Sequence, residues 1–217
     1  LRELYPDVPI IIGGIEASLR RMAHYDYWSN AIRRSILVDS QADLLIYGMG
    51  ERAIIEIAAD LQQGIEVGNI QDVQGTCYRV PNKDYAWDYL ELPSFAEVRA
   101  DKKRFAEAFK LEYLEQDPIR GRRLVQQNDE WCVVQNPPAL PLTDEQMDEV
   151  YDLPYMRTYH PIYEKAGGVP AIKEVQFSLV SQRGCFGGCN FCAIISHEGR
   201  IIQRRSHASL LREAKIL

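Results

Sequence analysis

The sequence lacks several features that would assign it to a special class of protein. It has no run of about eighteen apolar residues, the length that a membrane-spanning helix needs, and its longest apolar run, Val8 to Ile12, contains a proline. It has no charged N-terminal segment followed by an apolar stretch and a cleavage site, so we expect no secretion signal. Because the first residue is not methionine and Ser209 to Leu217 continue a helical pattern to the last residue, we expect a fragment of a longer protein.

An excess of positive charge is also absent. The 217 residues carry 25 Lys and Arg against 31 Asp and Glu, which gives a formal net charge of −6. Sequence-independent nucleic-acid binding depends on a basic field, so the composition gives no clear signal for a nucleic-acid partner, and it gives none for a membrane. Arginines alternate with aromatic residues between Ile15 and Arg34, and packing with local ion pairs is the preferred interpretation of that segment.

Cysteine is sparse and odd in number. There are five, three of them close together, which fits a reducing cytoplasm better than a disulfide framework. We therefore expect a cytoplasmic location. Cys77 and Cys132 stand alone in apolar segments and are predicted to be buried packing residues.

The apolar pattern of the first 80 residues predicts an α/β fold. Val8 to Ile12 and Asp43 to Tyr47 are short apolar runs that precede glycines, which is typical of strands buried on both faces of a parallel sheet. An amphipathic helix is expected from Arg52 to Gln63, with Gly64 after its end. Ile70 to Val80 predicts one more strand or hairpin.

Residues 81–170 are predicted to form an ordered connector with two helices. Capping boxes at Ser94 and Thr143 mark the helix starts, and the first helix is expected to run for about twenty residues and to end before Pro118. Trp131 to Val134 predicts a strand between them.

The last segment predicts the order strand, cysteine loop, helix. Lys173 to Ser181 alternates apolar and polar residues, as a strand does. The cysteines follow directly, and Ser206 is a good N-cap for a helix from His207 onward.

Three cysteines fall in a CxxxCxxC pattern at Cys185, Cys189 and Cys192, among Gly184, Gly187 and Gly188. Thiolates are soft ligands that select zinc, cuprous copper or iron–sulfur clusters. Three sites remain open from the residues alone. A closed zinc site would recruit a histidine, His197 or His207. A fully ligated cluster would need the remote Cys77 or Cys132, and a three-cysteine cluster would leave one iron open.

The loop resembles the CxxxCxΦC motif of radical S-adenosylmethionine (SAM) enzymes, including the aromatic Phe191 before the last cysteine. Three further stretches, Gly13 to Arg21, His24 to Ser29 and His197 to Gln203, are similar to the YgiQ-type radical SAM proteins. The resemblance covers nearly the whole chain.

The resemblance implies a function and a ligand set. Cys185, Cys189 and Cys192 would each bind one iron of a [4Fe-4S] cluster, S-adenosylmethionine would chelate the fourth iron, and Phe191 would lie near the adenine. An electron donor would reduce the cluster, which would cleave S-adenosylmethionine to a 5′-deoxyadenosyl radical; catalytic residues and substrate stay unknown. The alternative is a non-catalytic, zinc-stabilised binding module. His197-Glu198 is either an acid/base pair or an ordinary part of the loop.

The resemblance also implies a domain order. Residues 1–80 would be the C-terminal part of a Rossmann-like, cobalamin-binding-type domain with a parallel sheet, residues 81–170 the connector, and residues 171–217 the first βα unit of a radical SAM partial TIM barrel. No DxHxxG motif occurs, so cobalamin is unsupported. The full-length protein would be the enzyme, and this fragment alone would be inactive.

Overall fold

The structure is a computed structural model that describes all of residues 1–217. None of its helices has both the length and the apolar character needed to cross a membrane. The strands are β1 Ile11–Ile12, β2 His24–Asp26, β3 Ala31–Arg33, β4 Leu44–Ile46, β5 Thr76–Val80, β6 Tyr89–Glu91, β7 Arg123–Asn128, β8 Trp131–Gln135, β9 Gln182–Arg183 and β10 Gln203–Arg204. The α-helices are α1 Gly14–Leu19, α2 Ile36–Asp39, α3 Glu51–Gln62, α4 Phe95–Ala100, α5 Lys102–Leu114, α6 Asp144–Tyr151, α7 Ile172–Val175, α8 Ile195–Glu198 and α9 His207–Ala214. Short 3-10 helices span Val67–Asn69, Lys83–Tyr85 and Pro161–Ala166.

The chain divides into two compact units. The first comprises Leu1–Leu140 and Gly187–Arg200, and the second comprises Pro141–Phe186 and Ile201–Leu217. The division falls inside the cysteine loop. The boundaries inferred from the sequence, after residues 80 and 170, stay predictions.

A six-stranded sheet forms the centre of the first unit and confirms the α/β fold class. The strand order is β1-β4-β5-β8-β7-β6. The β1–β4 and β6–β7 pairs are parallel and the other pairs are antiparallel. The sheet is therefore mixed: the predicted parallel pairing holds for the first two predicted strands, and β5, β7 and β8 join it through antiparallel pairs.

Strand β4 shows why the sheet is stable. Leu44 and Ile46 belong to a hydrophobic cluster that includes Ile57 of α3, whereas Leu45 belongs to a second cluster that includes Leu37 of α2. Successive side chains of a strand point to opposite faces, so one continuous apolar run supplies both clusters. The prediction of a strand buried on both faces is confirmed here.

Several predicted elements are confirmed, including α3, β5 and β8. Both capping boxes form, at Ser94 and at Thr143. The single helix expected after Ser94 is wrong, because Asp101 interrupts it with extended backbone and its side chain caps a second helix by accepting from the Lys103 N–H. The strand expected from Val8 is shorter, since only Ile11–Ile12 pairs and Val8 is exposed.

The second unit contains α6, α7, α9 and the β9–β10 pair. Ser206 caps α9 as predicted, by accepting from the Ser209 N–H. Its own N–H and hydroxyl donate to the two carboxylate oxygens of Asp148 on α6, at 2.9 and 2.5 Å. These bonds hold the start of α9 against α6.

The strand predicted over Lys173 to Ser181 is wrong. Residues Ile172–Val175 form the short helix α7 instead, and the strand before the cysteines is limited to β9. Alternation of apolar and polar residues makes a strand only where a neighbour pairs with its backbone, and the pairing available here, with β10, covers Gln182 and Arg183. The order strand, cysteine loop, helix is retained.

Candidate metal centre and the network around His197

The cysteine loop begins at a turn that requires glycine. Gly184 follows β9 and has a φ of +86°, and a Cβ added to it would lie 2.2 Å from the carbonyl oxygen of Ile201. Backbone atoms cannot move aside as a flexible side chain can, so a larger residue would displace the chain leading to β10. Gly184 therefore fixes where the loop leaves the second unit.

The three cysteines predicted as metal ligands lie along this loop in different surroundings. Cys185 and Cys192 are half-buried, Cys189 is exposed, and none is in a disulfide. The N–H of Cys192 donates to the carbonyl oxygen of Cys189 at 3.1 Å, which closes a turn between those two ligands. Phe191, predicted to lie near the adenine of the cofactor, is 93% exposed.

The donor chemistry of the loop fits an iron–sulfur cluster, because it offers three thiols without disulfide partners. No group of three or more His, Cys, Asp or Glu residues is arranged to hold a metal ion. Metal binding and the ordering of the ligands are coupled, since the ligands gain their arrangement as the metal binds. The sequence pattern thus predicts the three ligands, and we expect them to come together when the cluster binds.

The other two cysteines are packing residues, as predicted. Cys77 in β5 is 0% exposed and Cys132 in β8 is 1% exposed. Burial raises the pKa of the Cys77 thiol to about 12 and also raises the pKa of Cys132. Buried thiols of this kind are inert, so neither is expected to be a fourth ligand.

The side chain of His197 is held by a hydrogen bond to another part of the first unit. Its Nδ1 is 2.8 Å from the hydroxyl of Ser18 on α1, a residue that is 0% exposed. The same hydroxyl donates to the Gly14 carbonyl at 3.0 Å and accepts from the Gly48 N–H at 3.0 Å. Which of the two groups donates in the Ser18–His197 contact depends on the tautomer of the histidine.

Gly48 completes this network. Its φ is +73°, and a Cβ added there would lie 3.3 Å from the carbonyl oxygen of His197. Stretches around Gly13, Gly48 and His197, far apart in the sequence, therefore meet in the first unit. Neither the Ser18–His197 contact nor the role of Gly48 was predicted, because no sequence pattern indicates that these residues are close.

A buried arginine, Arg21, is hydrogen-bonded to the backbone of Ser18. Arg21 is 3% exposed; its Nε donates to Gln135 at 2.6 Å and its Nη1 donates to the Ser18 carbonyl at 2.5 Å. Its guanidinium also lies 4.8 Å from the centre of the Tyr47 ring.

The local ion pairs expected for the segment between Ile15 and Arg34 form at Arg20, with Glu16 and Asp26, and at Arg34, with Asp39. The expected packing of its aromatic residues is wrong for Tyr27 and Trp28, which are 75% and 87% exposed.

Arg21 has one carboxylate neighbour, Glu112 on α5. Their closest atoms, Nη2 and Oε2, are 3.9 Å apart. Burial raises the pKa of Glu112 from 4.5 to about 7, and the Arg21 charge opposes that rise without cancelling it. A carboxyl group with this pKa can hold or release a proton near neutral pH.

The remaining histidine candidate is placed differently. His207, the other histidine considered for zinc, is exposed on the first turn of α9 in the second unit. In that unit Arg205 is 3% exposed and donates to Ser209 at 2.8 Å and to the Val180 carbonyl at 3.1 Å. It also pairs with Glu213. Arg205 is therefore a structural residue of the second unit.

Comparison with known proteins identifies the family. A family model described as radical SAM N-terminal matches residues 1–178. A UPF0313 protein of Clostridium botulinum (strain ATCC 19397 / Type A) is 58% identical over 217 residues, which cover 100% of this chain and 34% of that protein. A UPF0313 protein of Clostridium perfringens (strain 13 / Type A) is 57% identical over 216 residues, with 99% and 33% covered. No solved structure matches.

The chain thus spans about a third of the length of these relatives. The family model covers most of the chain, including the α/β sheet of the first unit. The chain belongs to the radical SAM N-terminal family, as its resemblance to the YgiQ-type radical SAM proteins predicted.

Proposed function

We propose that the full-length protein is a radical SAM enzyme whose [4Fe-4S] cluster is bound by Cys185, Cys189 and Cys192. The observation that carries the proposal is the CxxxCxxC loop itself, with three thiols outside disulfides between a strand and a helix, in a chain of this family. When bound, such a cluster supplies the electron for reductive cleavage of S-adenosylmethionine.

The chain's own residues have defined parts in this proposal. The three thiolates would hold the irons, and Gly184 sets the direction in which the loop leaves β9. Ser18 and Gly48 hold His197, five residues after Cys192. Phe191, whose side chain is exposed, would lie near the adenine of the cofactor. An electron donor is required, and we propose a cytoplasmic location because thiols persist there.

The test is anaerobic reconstitution of the full-length protein with iron and sulfide. We expect about four irons per chain at this loop, a brown chromophore and formation of 5′-deoxyadenosine from S-adenosylmethionine after reduction. Cys185→Ala, Cys189→Ala and Cys192→Ala should each lose both the chromophore and the cleavage. Cys132→Ala is the matched control, since it removes a thiol that is buried away from the loop.

Two outcomes would overturn the proposal. One is a Cys189→Ala protein that keeps both chromophore and cleavage. The other is one zinc per chain with no iron or sulfide after anaerobic preparation, which would support the zinc-stabilised binding module.

A further inference from the structure

A small cleft in the first unit lies beside α5, outside the cysteine loop. Its volume is about 200 Å³, and its lining includes Arg21, His24, Glu112 and Gln116, together with the aromatic residues Phe109 and Tyr113. Pockets for drug-sized ligands are commonly about 300–1,000 Å³. The cleft is therefore suited to a single ring system.

The polar groups of the cleft include acceptors in need of a donor. The side-chain oxygen of Gln116 is buried and has no hydrogen-bond partner. His24 uses its Nδ1 to donate to the Met22 carbonyl at 3.0 Å, so the Nε2 of the neutral ring is an acceptor. Burial lowers the pKa of His24, which favours that neutral form. A ligand that fills the cleft should bring N–H groups.

Glu112 adds a group that can donate and accept together. Its contact with Arg21, at 3.9 Å, is too long for a hydrogen bond, so the carboxyl is held by charge and not by directed bonds. A neutral carboxylic acid has an O–H donor beside a carbonyl acceptor. The complement of that pair is an amino group next to an unprotonated ring nitrogen.

The aromatic residues of the cleft supply flat apolar surface. Phe109 and Tyr113 lie one helical turn apart on α5, with ring centres 6.5 Å apart and ring planes inclined by 30°. Their exposed fractions are 59% and 38%, and the Arg200 guanidinium covers one face of Tyr113, 4.5 Å from the ring centre. Proteins that hold a single base commonly stack it on such side chains and read its edge with hydrogen bonds.

We propose that this cleft binds the amino-bearing edge of an adenine base. Glu112 pairs with the amino group and the adjacent ring nitrogen, Gln116 accepts a further N–H, and the Phe109–Tyr113 surface contacts the ring. The base can belong to a free nucleoside or to a single-stranded RNA. The proposal does not rest on the cluster, so it can fail or succeed independently of the proposed function.

The test is equilibrium binding to the full-length protein, without reconstitution of any metal. We use four probes: adenosine, purine riboside (which lacks the amino group), uridine, and a short single-stranded oligoadenylate RNA. Adenosine or the oligoadenylate should bind at least about tenfold more tightly than purine riboside and uridine. Preference for adenosine assigns the site to a free nucleoside, and preference for the oligoadenylate assigns it to RNA.

Three variants make the assignment specific to the cleft. Glu112→Ala should weaken binding about tenfold or more, whereas Glu112→Gln should retain it, because an amide also offers a donor beside an acceptor. Glu107→Gln is the matched control, since Glu107 lies on the same helix, is exposed and pairs with Arg104. Equal binding of adenosine and purine riboside, no binding of any probe, or unchanged binding by Glu112→Ala would overturn the proposal.

The pH dependence supplies a second readout. The titratable or charged groups around Glu112 are Arg21, His24, Tyr25, Tyr113 and Cys77, with Arg200 over the Tyr113 ring. Between pH 6.5 and 8.5 we expect wild-type affinity to fall as Glu112 ionises and stops donating. Glu112→Gln should bind with no such fall, and an identical fall in both proteins would contradict the role of Glu112.

Discussion

The hydroxyl of Ser18 and the imidazole of His197 lie 2.8 Å apart although 179 positions separate them in the chain. The contact joins α1, at the edge of the six-stranded sheet, to α8, which follows the cysteines. His197, which lies just beyond the proposed cluster ligands, is thus held by helix α1, and α1 contains none of those ligands.

This relationship predicts a local effect of Ser18→Ala. The variant removes the hydroxyl that bonds both the Gly48 N–H and the His197 imidazole at a partly buried place, which costs about 1–3 kcal/mol. We expect amide hydrogen exchange in Ile195–Glu198 to become about tenfold faster or more.

Hydrogen exchange in Ile195–Glu198 is also measured for a control variant and for a double variant. Ser94→Ala removes a serine cap on α4, away from α8, and should not change exchange in Ile195–Glu198. His197→Ala combined with Ser18→Ala should show a coupling of about 1 kcal/mol. Additive effects of the two substitutions would mean that the contact does not hold α8.

The second prediction concerns the turn into the cysteine loop. Gly184→Ala should destabilise the second unit by about 3 kcal/mol or more, because it combines a positive φ with a clash against a backbone oxygen. Gly188→Ala is the matched control, since an added Cβ there meets nothing within 4 Å. Thermal unfolding and soluble yield of the two full-length variants give the comparison. Equal stability of both variants would contradict the geometry assigned to Gly184.

Local signals in the sequence were sufficient for part of this structure. The capping boxes at Ser94 and Thr143 and the doubly buried strand β4 depend on neighbouring residues, so the pattern predicts them well. The break at Asp101 was missed because most residues on either side of it favour a helix, although Asp itself is a weak helix former that is common at N-caps. The strand expected over Lys173 to Ser181 failed because strands depend on distant partners.

In the candidate site, the sequence predicts the cysteine ligands but not the contacts around them. Close spacing of Cys185, Cys189 and Cys192 is itself the signal for a ligand set. The Ser18–His197 contact and the Glu112 cleft are made by long-range packing, and no spacing along the chain encodes them. Glu112 reads in the sequence as one more charged residue on an amphipathic helix, and only its burial beside Arg21 distinguishes it.

Thiol reactivity provides a third prediction. In the metal-free full-length protein, Cys189 should react fastest with iodoacetamide, Cys185 and Cys192 more slowly, and Cys77 and Cys132 not measurably before unfolding. Cys189 is exposed, whereas Cys77 is fully buried with a pKa of about 12, which leaves almost no thiolate at pH 8. Peptide mass mapping over time measures the order. Rapid labelling of Cys77 in the native protein would restore it as a possible fourth ligand.

The last prediction follows from the raised pKa of Glu112. Its pKa is about 7 in the folded protein and about 4.5 when unfolded, so the folded state binds more protons between these values and stability falls as pH rises from 4.5 through 7. The full penalty, present above pH 7, is about 3 kcal/mol from the size of the shift. Glu112→Gln carries no titrating group, so its unfolding free energy relative to wild type should increase by up to that amount over this interval.

Urea unfolding at pH 5, 6, 7 and 8, with hydrogen exchange in α5 as the readout, measures this difference in unfolding free energy. Glu107→Gln is the control and should keep the wild-type dependence of stability on pH. A constant difference between Glu112→Gln and wild type at all four pH values would show that Glu112 is ionised throughout, and the carboxyl could then not donate a hydrogen bond near neutral pH.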